Sequence, residues 1–419
     1  MIDVNYEGSK KTIEELTKAN DEWRKKTINL IASENVMSPR AQALYNSDFM
    51  HRYAEGDPFK RFYNGTHYSD YVELMATNHM KDLFHAPFCD VRVLSGTMAN
   101  LAVYYGLTKP GDYMLANSTN GGGHISHTDI GAAGCRGIKT VFYNWDKERM
   151  NIDMDDLRKK AEEYKPKVIL LGNSLYLFPT PVKEAKEIAD SIGATLVYDA
   201  AHVLGLIAGN QFQDPLGEGA DIMTSSTHKT FPGPQGGVIF AKDEERFKLI
   251  RRALFPGLVC NHHLHRLPAL ATTALEMMEF GEDYAKKTIE NAQRLGNACT
   301  MNGIATLCDS QNGVTTMSHQ VVIDIAKTCA GKDGAWAAKK CEDAGIILNK
   351  NMIPGDTSPF KPTGIRIGTQ EMTRMGMGLD EMDLLADLLL DLLVAEDQVS
   401  NVRKQVYEMR AGFQTIGYC

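Results

Sequence analysis

The chain has 419 residues, 43% of them hydrophobic and 23% charged, which is the composition of an ordinary globular protein with room for about two or three domains and a large core. Its net charge of −8, from 53 acidic and 45 basic side chains, speaks against nucleic-acid or anionic-membrane partners, since both require basic patches. No apolar run approaches the roughly 18 to 20 residues of a membrane span, and residues 1–20 are too charged for a signal peptide, so a cytoplasmic location is expected. The eight cysteines (89, 135, 260, 299, 308, 329, 341 and 419) show no C-x-x-C pair and no metal-ligand spacing. Buried reduced thiols are expected, with no disulfide framework and no metal.

Residues 12–25 read as a polar helix with apolar Ile13, Leu16 and Trp23, an arm that packs on something else. Ser38-Pro39 then marks a helix start, with serine as N-cap and proline at the first helical position. From about residue 91 to residue 251, short apolar runs at 91–94, 113–116, 140–143, 168–171, 195–198, 222–224 and 238–241 alternate with helical patterns. That alternation predicts an α/β fold, a mainly parallel seven-stranded sheet with helices on both faces. Past residue 268 the pattern changes to a long helix (270–302), a strand (319–325), a helix (335–344) and a helical region from Asp380 onward, a smaller C-terminal α+β domain. The expected division is an N-terminal arm and helix over 1–39, a large domain over 40–275 and a small domain over 276–419.

Ligands of such sheets bind beyond the carboxyl ends of the strands, and three candidate elements fall there. Ser95, Gly96 and Thr97 lie in Leu94-Ser-Gly-Thr-Met-Ala-Asn100, between a strand-like run and a helix, where hydroxyls and backbone N–H groups meet an anion. Asp199 ends the apolar run Ala194-Thr-Leu-Val-Tyr-Asp199. Lys229 sits between a hydroxyl-rich run and a Gly/Pro-rich turn in Thr224-Ser-Ser-Thr-His-Lys-Thr-Phe-Pro-Gly-Pro-Gln-Gly-Gly237. Each alone is ordinary: serine caps helices, aspartate ends strands, and most lysines are solvated. Together, in this order, they are what a fold-type I pyridoxal phosphate enzyme needs: a phosphate loop, a carboxylate for the pyridinium nitrogen and a Schiff-base lysine. His202, three residues after Asp199, is placed to reach the cofactor's phenolic oxygen or the substrate, and His228 adjoins Lys229.

Leu30-Ile-Ala-Ser-Glu-Asn35, Arg52-Tyr-Ala-Glu-Gly56, Lys60-Arg-Phe-Tyr63, Ser226-Thr-His-Lys-Thr230, Asn349-Lys-Asn351 and Gly364-Ile-Arg-Ile-Gly-Thr369 resemble the signature segments of serine hydroxymethyltransferases. The resemblance runs from about residue 12 to about residue 410. It is greatest to the archaeal type, through Asp48-Phe-Met-His-Arg-Tyr-Ala-Glu-Gly56, Gly122-Gly-His-Ile-Ser-His127, Asn261-His-His-Leu-His265 and Gly368-Thr-Gln-Glu371. It implies reversible interconversion of serine and glycine, with the one-carbon unit passed to a reduced pterin, tetrahydrofolate or tetrahydromethanopterin. It further implies a homodimer with shared active sites.

By that resemblance Arg366 clamps the substrate carboxylate as a planar fork, helped by Ser33 and by Tyr63 from the neighbouring subunit. Glu55 is the acid or base at the serine hydroxyl and the pterin, and Tyr53 contacts substrate and cofactor across the interface. Ser174 and Ser226 approach the cofactor, and Asn351 matches a pterin contact. Three positions depart from the common pattern. Asn120-Gly121 precedes Gly122-Gly-His124 where a ring-stacking histidine is usual, leaving His124 as the replacement. Phe255-Pro-Gly-Leu-Val-Cys-Asn-His-His-Leu-His265 replaces the neighbour's glycine-rich phosphate segment, with Asn261 or His262 as substitutes. Phe62 stands where many members have a tyrosine. The alternative function is a pterin-independent aldolase or transaldolase acting on threonine or another β-hydroxy amino acid.

Overall fold

The computed structural model describes residues 6–308, 312–395 and 398–419. Seven strands build its central sheet: β1 (Phe88–Asp90), β2 (Tyr113–Asn117), β3 (Lys139–Tyr143), β4 (Val168–Leu171), β5 (Thr195–Asp199), β6 (Ile222–Ser226) and β7 (Gly237–Ala241). Their spatial order is β1-β7-β6-β5-β4-β2-β3. The neighbours from β3 to β6 pair in parallel, and β7 runs antiparallel to both β6 and β1. The sequence of β4, Val168-Ile-Leu-Leu171, shows no polar alternation because both faces are covered. Ile169 and Leu171 join one apolar cluster, while Val168 and Leu170 join another on the opposite face.

The run at 91–94, expected as the first strand, is not one. The strand is Phe88–Asp90, and residues 91–94 form the lead from it to Ser95, with Val91, Arg92 and Val93 buried and Leu94 half-buried. An apolar run reports burial, and periodicity alone does not separate a strand from a buried connection. Here the Arg92 N–H turns back onto Asp90 Oδ1 (3.0 Å), which ends the ladder. The cysteines are all free, but Cys135, Cys260 and Cys419 are exposed and only Cys89, Cys299 and Cys341 are buried. The general tendency of cysteine to be buried is thus overridden in the short helix Ala132–Arg136, on the loop that carries Cys260 and at the terminus.

The arm is helix α1 (Tyr6–Arg24), none of whose residues is buried, with Ile13 and Leu16 exposed. Ser38 caps the following helix by accepting the Ala41 N–H (3.0 Å). Helix α2 (Gly96–Leu107) starts beyond β1 with Ser95 as its N-cap. The 36-residue helix α3 (Arg266–Met301) serves two cores, through Leu267, Leu270 and Met277 in the sheet core and Leu295 and Cys299 in the C-terminal one. The C-terminal region holds an antiparallel sheet of β8 (Gln320–Asp324), β9 (Asn349–Asn351) and β10 (Gly364–Gly368), in the order β8-β10-β9, with helices α4 (Leu379–Leu393) and α5 (Val399–Ala411). Ile28 pairs in parallel with Ile346, so the segment after α1 packs into this C-terminal core. No helix among the described residues is long and apolar enough to cross a membrane.

Candidate active site

The carboxyl ends of β5 and β6 and the N-terminus of α2 converge on a cavity of about 290 Å³. Ser95, Gly96, Thr97, Ser174, Asp199, His202, Ser226, His228 and Lys229, all expected from the sequence, line it together. The convergence depends on close backbone approach. Gly172 has φ +124°, and a Cβ there would lie 2.4 Å from Asp199 O. A Cβ on Gly237 would lie 2.5 Å from Ser95 O, so a side chain at either position would push the lining elements apart.

Lys229 is the cavity's cation, and its Nζ makes no hydrogen bond among the described residues. Burial lowers its pKa from 10.5 to about 8, against the attraction of Asp199 and assisted by repulsion from Arg366. Its backbone is pinned separately: Asn35 Nδ2 donates to Lys229 O (2.7 Å) and to Tyr284 Oη (2.9 Å). The side chain is therefore free while its attachment is fixed.

Asp199 is bonded from three directions. Asn100 Nδ2 (2.8 Å) and His127 Nε2 (3.1 Å) donate to Oδ2, and the Ala201 N–H donates to Oδ1 (3.0 Å). Burial opposes its charge, but the bonds from His127 and Asn100 outweigh burial and hold the carboxyl below the usual carboxylate range. Thr224 Oγ1 in turn donates to Asn100 Oδ1 (2.6 Å), fixing the orientation of that amide.

His202 is neutral, its pKa pushed well below 6.5 by burial and by the nearby Lys229 and Arg366. Gln320 Nε2 lies 3.0 Å from its Nδ1. An amide N–H donates, so Nδ1 accepts and the ring hydrogen resides on Nε2. Its ring stacks on His319 at 5.9 Å and 17°. His124 also lines the cavity, and burial lowers its pKa to about 4. His228 is lowered to about 4 as well, by burial and then by Lys229, and its Nδ1 is buried without a partner.

A sequence model of the serine hydroxymethyltransferase family matches residues 7–389. A serine hydroxymethyltransferase of Metallosphaera sedula is 50% identical over 420 aligned residues, covering 100% of this chain and 96% of the relative. The Pyrococcus furiosus protein of that name is 47% identical over 99% of this chain and 98% of its own. That of Methanopyrus kandleri is 48% identical over 95% and 92%. The chain belongs to the serine hydroxymethyltransferase family. This is a family of fold-type I pyridoxal phosphate enzymes, and the archaeal relatives agree with the motifs that point to that type.

The remaining residues expected for a serine hydroxymethyltransferase lie around the cavity or apart from it. Arg366, on β10, is buried and packs on the cavity wall, donating through Nη1 to Ser174 O (2.6 Å) and through Nε to Asn349 Oδ1 (3.3 Å). Nη2 has no partner among the described residues. Burial lowers the Arg366 pKa to about 10. Ser33 lines an adjoining hollow that shares His228 and Gln235 with the Lys229 cavity. Asn351 donates to Met352 O (2.6 Å) and is absent from the cavity wall. Tyr53, Glu55 and Tyr63 do not line the cavity of their own chain, and both tyrosines are exposed with rings 5.3 Å apart.

Asn261 and His262, candidates for the phosphate, are engaged elsewhere. Asn261 Oδ1 accepts the Ala54 N–H (3.1 Å), and buried His262 donates to Glu73 (2.8 Å). Reasoning from the sequence passed over Asn100, His127 and Gln320 as site residues. The available signal was a polar residue within an otherwise apolar helix for Asn100, and a histidine inside a quoted motif for His127. Gln320 had none, because its partners lie 118 and 146 residues away.

Proposed function

We propose that the protein interconverts serine and glycine, passing the one-carbon unit to tetrahydrofolate or tetrahydromethanopterin, with pyridoxal phosphate held in the Lys229 cavity. The donor set there fits this cofactor: an amine without competing bonds, a buried carboxylate kept ionised, and hydroxyls at a helix N-terminus. Lys229 holds the cofactor. Ser95, Thr97 and the first amides of α2 take its phosphate, with Gly96 and Ser226 closing the wall. When bound, pyridoxal phosphate supplies an electron sink for charge developing at the substrate Cα.

The chain's own groups divide the rest of the work. Asp199, kept ionised by Asn100 and His127, keeps a proton on the pyridine nitrogen. A Lys229 pKa of about 8 leaves about a tenth of the amine neutral at pH 7, against roughly one part in three thousand for an ordinary lysine. His202 offers its Nε2–H, and His228 stands beside the lysine as a neutral acceptor. Arg366 and Ser33 bind the substrate carboxylate, and Glu55 moves the proton at the serine hydroxyl. Asn351 contacts the pterin.

A homodimer with shared sites is part of the proposal. Tyr53, Phe59, Phe62, Tyr63, Tyr68 and Tyr71 are all exposed on one short stretch. Such an apolar band fits a second copy of the chain, and it would carry Tyr53, Glu55 and Tyr63 to the partner's cavity. Two separate apolar cores support a large and a smaller C-terminal domain, within a division of 1–39, 40–275 and 276–419 whose bounds they cross: Ile28 and Leu30 pack in the C-terminal core, and Met277, Tyr284 and Ala285 in the sheet core. The single observation carrying the functional reading is the unpaired Lys229 amine facing ionised Asp199 in one cavity. Glycine formation from serine by the purified holoprotein, with and without each pterin, tests it. Stimulation by one carrier supports the reading; stimulation by neither, with faster threonine cleavage, would favour the aldolase.

A further inference from the structure

Glu55 lies on a segment whose aromatic side chains Tyr53, Phe59, Phe62 and Tyr63 are exposed. Their contacts within the chain are surface ring contacts, Phe59 with Tyr71 at 5.2 Å and Phe62 with Phe255 at 6.4 Å. The segment's backbone is held from beneath. Arg61 Nη1 donates to Ala54 O (2.7 Å) and Gly56 O (2.6 Å), the carbonyls on either side of Glu55. The Phe62 N–H bonds Glu55 O itself (3.0 Å).

The same guanidinium is clamped by two carboxylates, Nε to Asp70 Oδ1 and Nη2 to Glu73 Oε2, both at 2.7 Å, with side chains only 2%, 4% and 5% exposed. Asp70 Oδ2 also accepts the Phe59 N–H (2.9 Å). These ties are local. Two others come from about two hundred residues away. His262 Nε2 donates to the Glu73 oxygen that Arg61 uses (2.8 Å), and Asn261 Oδ1 accepts the Ala54 N–H (3.1 Å). Burial works against charge on Glu73, but His262 and Arg61 outweigh it and hold the carboxyl below its usual range.

We infer that Asn261 and His262 are positioning residues for Glu55, acting through Ala54 and through the Glu73–Arg61 pair to fix the segment that carries it. Buried polar networks of this kind act as a unit, so losing one donor loosens the whole buckle. The inference rests on the role of Glu55 proposed above. It also gives a physical use to the stretch 255–265, where this chain departs from the common family pattern.

The test compares Glu55→Gln, His262→Leu, His262→Gln and the double variant Glu55→Gln/His262→Leu in the holoprotein, by carrier-dependent serine cleavage. A displacement of about 1 Å at a reacting group can lower the rate by about a hundredfold, so His262→Leu should lower kcat by about tenfold to a hundredfold. The cofactor's visible absorption should stay near the parent's, since Lys229 and Asp199 are untouched. His262→Gln, which keeps an N–H donor, should recover most of the rate. The double variant should be no slower than Glu55→Gln, because His262 acts through Glu55.

If Glu55→Gln is as active as the parent, the role of Glu55 falls and the inference with it. If Glu55→Gln is slow but His262→Leu is not, or if the two losses multiply, the inference alone is overturned. Should His262→Leu fail to fold, Asn261→Leu against Asn261→Asp makes the same comparison, since only aspartate keeps the acceptor. Equal rates for that pair would refute positioning, and a slower leucine variant with unchanged cofactor absorption supports it.

Discussion

Replacing Lys229 with methionine, in protein stripped of small ligands, should stabilise the fold at neutral pH. In the folded chain burial holds this lysine at about 8 instead of 10.5. That difference, at about 1.4 kcal/mol for each pH unit, corresponds to roughly 3 kcal/mol against the folded state. Between pH 8 and pH 10.5 the unfolded chain binds more protons than the folded one, so the parent's stability rises with pH across that window. Below it the penalty is present in full.

Methionine fills similar space, carries no charge and has no such dependence. Asp199 keeps its bonds from Asn100 and His127 in the variant. The advantage of Lys229→Met should therefore be about 3 kcal/mol near pH 7 and largely gone by about pH 10. Urea unfolding of both proteins at one fixed protein concentration, at the two pH values, measures it. A variant less stable than the parent at pH 7, or an advantage equal at both pH values, would refute the reasoning. The functional lysine would then not be held against its hydration in the empty cavity.

Asn100→Leu should destabilise the protein by roughly 1–3 kcal/mol, since it leaves Thr224 Oγ1 and one side of Asp199 without a partner. The variant should also release pyridoxal phosphate faster on dialysis, and unfolding curves with absorbance of the dialysed protein check both effects. Mixing inactive Lys229→Ala with inactive Tyr63→Phe under subunit exchange should restore part of the activity, because one site of the mixed dimer regains both groups. Mixed dimers demonstrated by mass but without activity would count against shared sites.

Much of the Lys229 cavity was legible in the sequence because each of its parts ends a local pattern. Asp199 closes an apolar run, Ser95 caps the start of a helix, and Lys229 follows a strand into a Gly/Pro turn. The parallel sheet brings those ends to one edge. What surrounds them was not legible. The bonds that keep Asp199 charged come from Asn100 on α2 and His127 on a short 3₁₀ helix, and the one that orients His202 comes from Gln320 at the start of β8. Such pairings join residues far apart in sequence, where no spacing rule operates. The run at 91–94 misled for a related reason, since its residues are apolar because they are buried and not because they pair. Asn261 and His262 carried a chemical hint, but their partners Ala54 and Glu73 lie 207 and 189 residues away, and only the folded chain shows those bonds.

The central claim, transfer of a one-carbon unit from serine to a pterin, is tested most directly by glycine formation from serine by the purified holoprotein with tetrahydrofolate, with tetrahydromethanopterin and with neither. Strong stimulation by one carrier, abolished in Lys229→Ala, is the predicted result. Serine cleavage indifferent to both carriers would contradict the account.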